Sequence, residues 1–546
     1  MQTQEKRTQI KEKGIRYVCI SVTCLSAFLL TLSLYLLLKP QIEWYRRGTV
    51  AYAFIALTCA PTIALGTYWT VTKKLTYKRL TTLLIIVAFA LRMGYVLYTP
   101  AATRQHDTFS PNFDGHEAYA WTIFSTGKLP TSNVYQFYHP PFNALLQAWF
   151  MRFMDGLTTS ISEIFGLEEY FSSAFSFAKP SYVDGRRYFL FGSCQILSIL
   201  YSLTASIFAV KTVNLFTNST KTKGVLTAFV LLYPRQIQMA GSLNNDGPAY
   251  MFAVIALYTA LQWWKGKKSW GYILCCAIAI GCGMMCKLSS ATVCLPIAGI
   301  FIYEFVRTCA RKEQSLSFGK IVGQYAAFLG VCAPLGLWFQ VYAFLTFGQP
   351  FGYVFSNLNS ALYTGDVSWV GRFIIPLDLK EWFGSLYCRP FDNYNLFHYA
   401  LRSSIFGEYT YWYGEGFGVL SVLFAYGVFA LLLFASVYAV VVYIKNGKRK
   451  GKNIFVVGLK EILFVALLVL SQVGSEVYFY ITMPYGCTMD FRYIMPMILA
   501  LALWVNLVEK VLANENGVLA KGTITWLHIL MVGMIVSSSL FYCVCL

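Results

Sequence analysis

Charge is scarce in this chain: 13% of its 546 residues are Asp, Glu, Lys or Arg, only 25 of these are acids, and histidine adds just five more ionisable groups. With 57% hydrophobic residues and a mean hydropathy of +0.53, that scarcity excludes a soluble protein built on one buried core. No internal repeat, heptad pattern or low-complexity tract is present, which argues against a solenoid or coiled coil. Paired, broken half-spans are also missing, and with them the signature of an inverted-repeat transporter. The 15 cysteines are scattered and none stands at a metal-ligand spacing. Cys388 and Cys487 fall in two polar segments, where pairing in an oxidising compartment is an open alternative to free thiols. No cleavable leader is visible: the apolar run from Tyr17 is too long and lacks small residues before Pro40, so it reads as a retained first span.

What the chain does have is apolar runs long enough to cross a bilayer as helices. They begin near Tyr17, Val50, Leu80, Tyr188, Gly224, Ala249, Trp270, Ala291, Ile321, Phe417, Ile454, Ile494 and Thr523. This predicts an all-α polytopic membrane protein with about 13 transmembrane helices. Lys and Arg concentrate in the N-terminal segment and in alternate loops: Lys73 to Arg79, Lys265 to Lys268, Arg307 to Lys312 and Lys445 to Lys452. The positive-inside rule then puts the N-terminus in the cytoplasm of a multi-pass cell-membrane protein and its C-terminus outside. The formal charge of +19 is explained by these juxtamembrane loops and anionic lipid, so no nucleic-acid partner is expected.

Two long loops face outward in this topology. The chain divides into extra N-terminal spans (1–79), a membrane core (80–346) that includes the first outer loop (100–187), a second outer loop (347–416) and C-terminal spans (417–546). Within the first loop, Phe142 to Met154 places Leu145, Leu146, Trp149, Phe150 and Phe153 at helical spacing; it reads as a helix lying on the outer surface. The second loop is rich in aromatics, among them Tyr353, Trp369, Trp382, Tyr409, Tyr411, Trp412 and Tyr413. They suit either sugar faces or an interfacial belt, and Glu408 to Glu415 is its most polar cluster.

The first loop spends the chain's scarce ionisable groups: Asp107, Asp114, His116, Glu117 and His139 lie close together in sequence. An Asp near the membrane surface can serve as a base toward a hydroxyl, although Asp107 and Asp114 also suit turns such as Ser110-Pro111-Asn112-Phe113-Asp114-Gly115. Arg235, Lys287 and Arg492 stand at or near outer span ends, where long cations either snorkel or bind a lipid phosphate. Arg92 and Arg235 are intramembrane charges, and such charges are site candidates by default.

Asp114-Gly115-His116-Glu117-Ala118-Tyr119, Gly127-Lys128-Leu129-Pro130 and Phe137-Tyr138-His139-Pro140-Pro141-Phe142 together resemble the first outer loop of the GT-C membrane glycosyltransferases. These include the protein O-mannosyltransferases and the aminoarabinose transferases acting on lipid A. Asn244-Asn245-Asp246-Gly247 and Asp490-Phe491-Arg492-Tyr493-Ile494-Met495-Pro496 match later elements of that group in order. The resemblance runs from Leu80 onward. It departs in the two extra spans before that point and in Gly115, where Glu usually follows the catalytic Asp; an alternative alignment puts Asp107 at the acidic position.

The resemblance implies a GT-C fold and an inverting transferase that moves sugar from a polyprenyl-phosphate donor to an extracytoplasmic acceptor: an envelope glycan, a glycolipid or a protein. It assigns catalysis to Asp114 or Asp107, and substrate binding to His116, Glu117, His139, Asp246, Lys287, Arg235, Arg492 and Tyr493. No cofactor is obligatory in this reading, and a divalent metal on the carboxylates and histidines stays open. The rival readings are a lipid-linked substrate transporter or flippase, and an envelope polysaccharide polymerase or ligase with a diphosphate-linked donor.

Overall fold

A computed structural model describes residues 2–39, 47–105, 107–173, 178–310, 316–356, 360–375, 394–409, 411, 413–449, 458–515 and 517–545. His106, Arg311, Lys312, Trp382, Cys388, Trp412, Lys450 and Lys452 lie outside these residues, so the Cys388 pairing and part of the aromatic reading concern segments not described. Among the described residues the protein is helical, with one isolated antiparallel bridge between Tyr363 and Tyr485. It is a polytopic all-α membrane protein.

Nine described helices are long and apolar enough to cross a membrane: Tyr17–Leu38, Gly48–Val71, Tyr77–Tyr98, Gly185–Phe216, Leu288–Cys309, Phe318–Phe347, Glu415–Lys445, Leu459–Thr482 and Val518–Val544. Gly486–Ile494 and Met497–Leu512, bent by 59°, make a tenth if taken as one span. The other expected positions also hold helices, Thr220–Leu232, Asp246–Lys265 and Trp270–Cys286, which fall outside that set by length or composition. Phe142–Phe165 is a helix of 24 residues, longer than its sequence signal. Ala144, Ala148 and Met151 are buried on one side of it while Trp149 and Phe153 stay exposed.

The first two long helices are peripheral, and the helices around Tyr77–Tyr98, Gly185–Phe216 and Asp246–Lys265 form the centre. Lys39, just past the first helix, anchors it: its ammonium donates to the Val96 and Thr99 carbonyls, the orphan acceptors at the end of Tyr77–Tyr98. Arg92 is fully buried and tied to neutral acceptors, Ser202 Oγ at 2.8 Å, Ser206 Oγ at 2.9 Å, Ala88 O at 3.0 Å and Gln236 Oε1 at 3.3 Å. It therefore joins Tyr77–Tyr98 to Gly185–Phe216 as a structural tie.

The basic loops meet at one end of the bundle. Lys265 and Lys510 share Glu461, Lys268 and Arg307 share Glu304, and Lys445 faces Glu515. The segments singled out for chemistry lie at the other end. Breaks in three helices shape that end. Pro234, which has no N–H to donate to Thr220–Leu232, starts a new short helix, Pro234–Met239, that carries Arg235. Lys287 is an extended residue between Trp270–Cys286 and the 3-10 turn Leu288–Val293. Asp490 caps the 3-10 turn Phe491–Ile494, accepting from Arg492 N at 2.9 Å, before Pro496 restarts the chain as Met497–Leu512.

Trp270–Cys286 and Phe318–Phe347 approach closely at small residues, as membrane helices do. A Cβ added at Gly281 would lie 2.8 Å from Leu335 Cγ, whereas one at Gly271 would meet nothing within 4 Å. Gly281→Val is expected to cost ~1–3 kcal/mol, read as a lower melting temperature of the detergent-solubilised protein, with Gly271→Ala as the silent comparison. Equal melting of all three proteins would remove this contact from the packing scheme.

Candidate functional site

The polar groups at this end assemble around two buried carboxylates. Asp490 receives both oxygens' worth of contact from Arg235 Nη2, at 2.7 Å each, and the pair is almost completely buried. Asp246, at the first turn of Asp246–Lys265, pairs with Lys287 Nζ at 2.5 Å. Arg492 stands between these pairs without a short contact to any carboxylate: Asp246 is at 3.9 Å, Asp490 at 3.9 Å and Glu408 at 3.8 Å. Its side-chain hydrogen bond goes to Tyr493 Oη at 3.2 Å, and the Tyr493 ring lies beneath both Lys287 (4.3 Å) and Arg492 (5.1 Å).

Three guanidinium N–H groups, Arg235 Nε, Arg235 Nη1 and Arg492 Nε, are buried with no hydrogen-bond partner. Buried donors of this kind are costly unless a ligand satisfies them. Gly407 makes the arrangement feasible. It has φ +64°, and a Cβ there would lie 2.1 Å from Arg235 Nη1, so both backbone and space demand glycine. Glu408 follows directly and accepts from Tyr399 Oη at 2.7 Å. Burial and the nearby Asp490 charge push the Glu408 carboxyl up to about 8.

The Asn244-Asn245-Asp246 loop is fixed from several sides. Asn143 donates to Asn245 Oδ1 and Asn244 O, Gln147 donates to Leu243 O, and Gln105 both accepts from Leu243 N and donates to Gly241 O. The Phe142–Phe165 helix after the double proline thus serves to hold Asp246 in place.

The first-loop residues divide. Glu117 is turned into an ion pair with Arg187, which also stacks over Phe113, so its carboxylate is already committed. His116 and His139 stack on one another at 5.9 Å and 13°. Burial pushes His116 down to about 4, with the Asp107 charge opposing and Lys287 next; burial also holds His139 well below the ordinary histidine value. Both imidazoles are therefore neutral near pH 7. Asp107 is exposed, has φ +55°, and its charge reaches His116, Tyr138 and Cys487. Asp114 is half-buried, its Oδ1 shielded without a hydrogen-bond partner.

The glycine at 115 has a physical explanation. A Cβ there would lie 2.7 Å from Thr108 O and 3.0 Å from Asp107 O, because His116 N and Glu117 N donate to those two carbonyls. The Asp107-Thr108 segment caps the His116–Thr126 helix and occupies the space a larger residue would need. Among the described residues no three His, Cys, Asp or Glu side chains converge as a metal-holding set.

The structure thus brings together His116, His139, Asp246, Lys287, Arg235, Arg492 and Tyr493, with Asp107 at their edge. Sequence reasoning missed Asp490 as the partner of Arg235, although it sits two residues before Arg492 in the same motif, and missed Arg187 as the partner of Glu117. Residues 190–338 match the family of dolichyl-phosphate-mannose-protein mannosyltransferases. That family is part of the GT-C-like glycosyltransferases, so the match bears out the resemblance at the level of the family over these residues, which hold Asn244-Asn245-Asp246-Gly247 but neither the first-loop motifs nor Asp490 to Pro496; it implies a membrane glycosyltransferase of the GT-C type. No curated protein matches the chain.

Two outcomes follow from the buried charges. Asp490→Ala leaves Arg235 buried and unpaired and is expected to cost ~3–5 kcal/mol, whereas Arg492→Ala breaks no short pair and should melt much closer to the native protein; thermal unfolding of both variants in detergent checks the order. Because Glu408 holds its proton more tightly when folded, its contribution to stability is full below about 4.5 and is lost as pH rises through about 8. Melting temperature measured across that window should therefore fall more steeply for the native protein than for Glu408→Gln, and parallel profiles would contradict the assignment.

Proposed function

We propose that the protein is an inverting glycosyltransferase that takes sugar from a polyprenyl-phosphate-linked donor and transfers it to an acceptor hydroxyl on the extracytoplasmic face. The observation that carries this reading is the set of unpartnered buried N–H groups on Arg235 and Arg492 beside Lys287. With the Glu408 carboxyl pushed up to about 8, the cluster keeps an excess of positive charge near pH 7. The phosphodiester of such a donor, which leaves as a more highly charged monoester, suits this seat, since guanidinium donors stabilise the charge that builds on oxygen as the bond to the anomeric carbon breaks. The orientation follows from the opposite end, where the basic loops cluster and are expected to face the cytoplasm.

In this scheme the acceptor hydroxyl attacks the anomeric carbon, its proton passes to an aspartate, and the electron pair of the breaking carbon–oxygen bond stays with the phosphate. Asp107 is the preferred base because it is exposed and its charge acts on the residues around the cluster, whereas Asp114 has an oxygen shielded in its loop. Neutral His116 and His139 act as hydrogen-bonding groups toward the sugar or acceptor.

Release of polyprenyl phosphate from a panel of polyprenyl-phosphate sugars, with an envelope extract as acceptor, tests this in nanodiscs. The native protein is expected to release it and Asp107→Asn to be slower by ~10²–10⁴-fold, a larger loss than for Asp114→Asn. The reverse order moves the base to Asp114, and no release from any donor by folded native protein rejects the monophosphate reading.

A further inference from the structure

Glu476 lies on the Leu459–Thr482 helix, is 3% exposed, and has no hydrogen-bond partner for either carboxyl oxygen. It is within electrostatic reach of Asp490, Lys287 and Arg492, so it borders the cluster described above from the membrane side. One turn earlier, Gln472 is fully buried; its Nε2 donates to Thr292 Oγ1 and Ser471 Oγ, and its Oε1 is left without a partner. Ser290 Oγ, on the facing 3-10 turn, is likewise buried and unpartnered. Unsatisfied polar atoms therefore gather on this side of the cluster, at a depth where each such group is costly.

The lack of partners says what Glu476 must be. Asp246 and Asp490 pair with Lys287 and Arg235, and among the described residues no ion pair or hydrogen bond reaches the Glu476 carboxyl. An ionised Glu476 would be a negative charge buried with no hydrogen bond and opposed to any incoming anion. A neutral carboxylic acid removes that charge and presents an O–H donor in the same place. A buried acid kept neutral so that it can donate a hydrogen bond is an established device for oxyanion recognition.

We propose that Glu476 is held as a neutral acid and completes the phosphate seat by donating its O–H to a phosphoryl oxygen of the lipid-linked donor. This rests on the donor reading given under the proposed function and adds to it a binding residue that no cation motif marks. The donor phosphate is then held by guanidinium and ammonium groups on one side and by a carboxylic acid on the other. As the anomeric bond breaks and charge gathers on the phosphate, the same hydrogen bond strengthens.

The test is binding of geranylgeranyl phosphate, with geranylgeraniol as the phosphate-free comparison, to native protein, Glu476→Leu and Glu476→Gln in nanodiscs. All three proteins are first checked for equal thermal unfolding. Glu476→Leu is expected to lose ~10- to 100-fold in affinity for the phosphate and none for the alcohol. Glu476→Gln keeps an N–H donor and is expected to restore most of that loss. If Glu476→Gln is as weak as Glu476→Leu, a hydrogen-bond donor at this position does not account for the loss, and the neutral-acid assignment is overturned. Native-like affinity in Glu476→Leu overturns it as well. If native protein binds the phosphate no better than the alcohol, the donor reading itself fails and takes this inference with it.

Discussion

The buried contact between Arg235 and Asp490 is the interaction on which the site depends. It joins a short helix created by Pro234 to a 3-10 turn ended by Pro496, two segments 255 residues apart in the chain. Neither charge tolerates burial at that depth alone, so the pair fixes both breaks relative to each other. Because Asp490 also caps the turn that carries Arg492, the position of the more loosely held arginine follows from the position of the tightly held one. Gly407 closes the arrangement by yielding its side-chain space to the Arg235 guanidinium.

Around that fixed point the site separates committed charges from uncommitted ones. Lys287 is matched by Asp246 and Glu117 by Arg187, whereas Arg492 touches three carboxylates only at 3.8–3.9 Å. A membrane protein with so few ionisable residues gathers many of them here, and N–H groups without a protein partner suit an anionic ligand. The stacked histidines and the Asp107 loop border this cluster. A lipid-linked sugar phosphate, polar at one end and apolar at the other, has the chemical shape of this boundary between bundle and loop.

The helical architecture was legible because apolar runs at membrane length carry their own signal, and a helix stands at every position where one was expected. Length and composition then divided them, since Thr220–Leu232 is short and Asp246–Lys265 is less apolar on average, with Gly247, Pro248, Gln262, Trp263 and Trp264 near its ends. Arg492, Lys287 and Asp246 were legible as span-end charges and as parts of recognisable motifs. The partners were not: that Glu117 serves Arg187, or that Arg92 rests on two serines and a glutamine, depends on which helices touch. Glu476 was hidden for a different reason, since one acid inside an apolar run carries no motif, and only its burial without a partner sets it apart. Gly115 read as a departure from the expected pattern until the Asp107-Thr108 carbonyls were seen to occupy its side-chain space.

The position of the phosphate is the most direct measurement. A cryo-electron microscopy structure in nanodiscs with a non-hydrolysable polyprenyl phosphonate sugar is expected to show the phosphonate oxygens accepting hydrogen bonds from Arg492 Nε and Arg235, with the sugar toward Asp107. Phosphonate density elsewhere, with those N–H groups still unpartnered, would contradict the assignment of this cluster as the donor site.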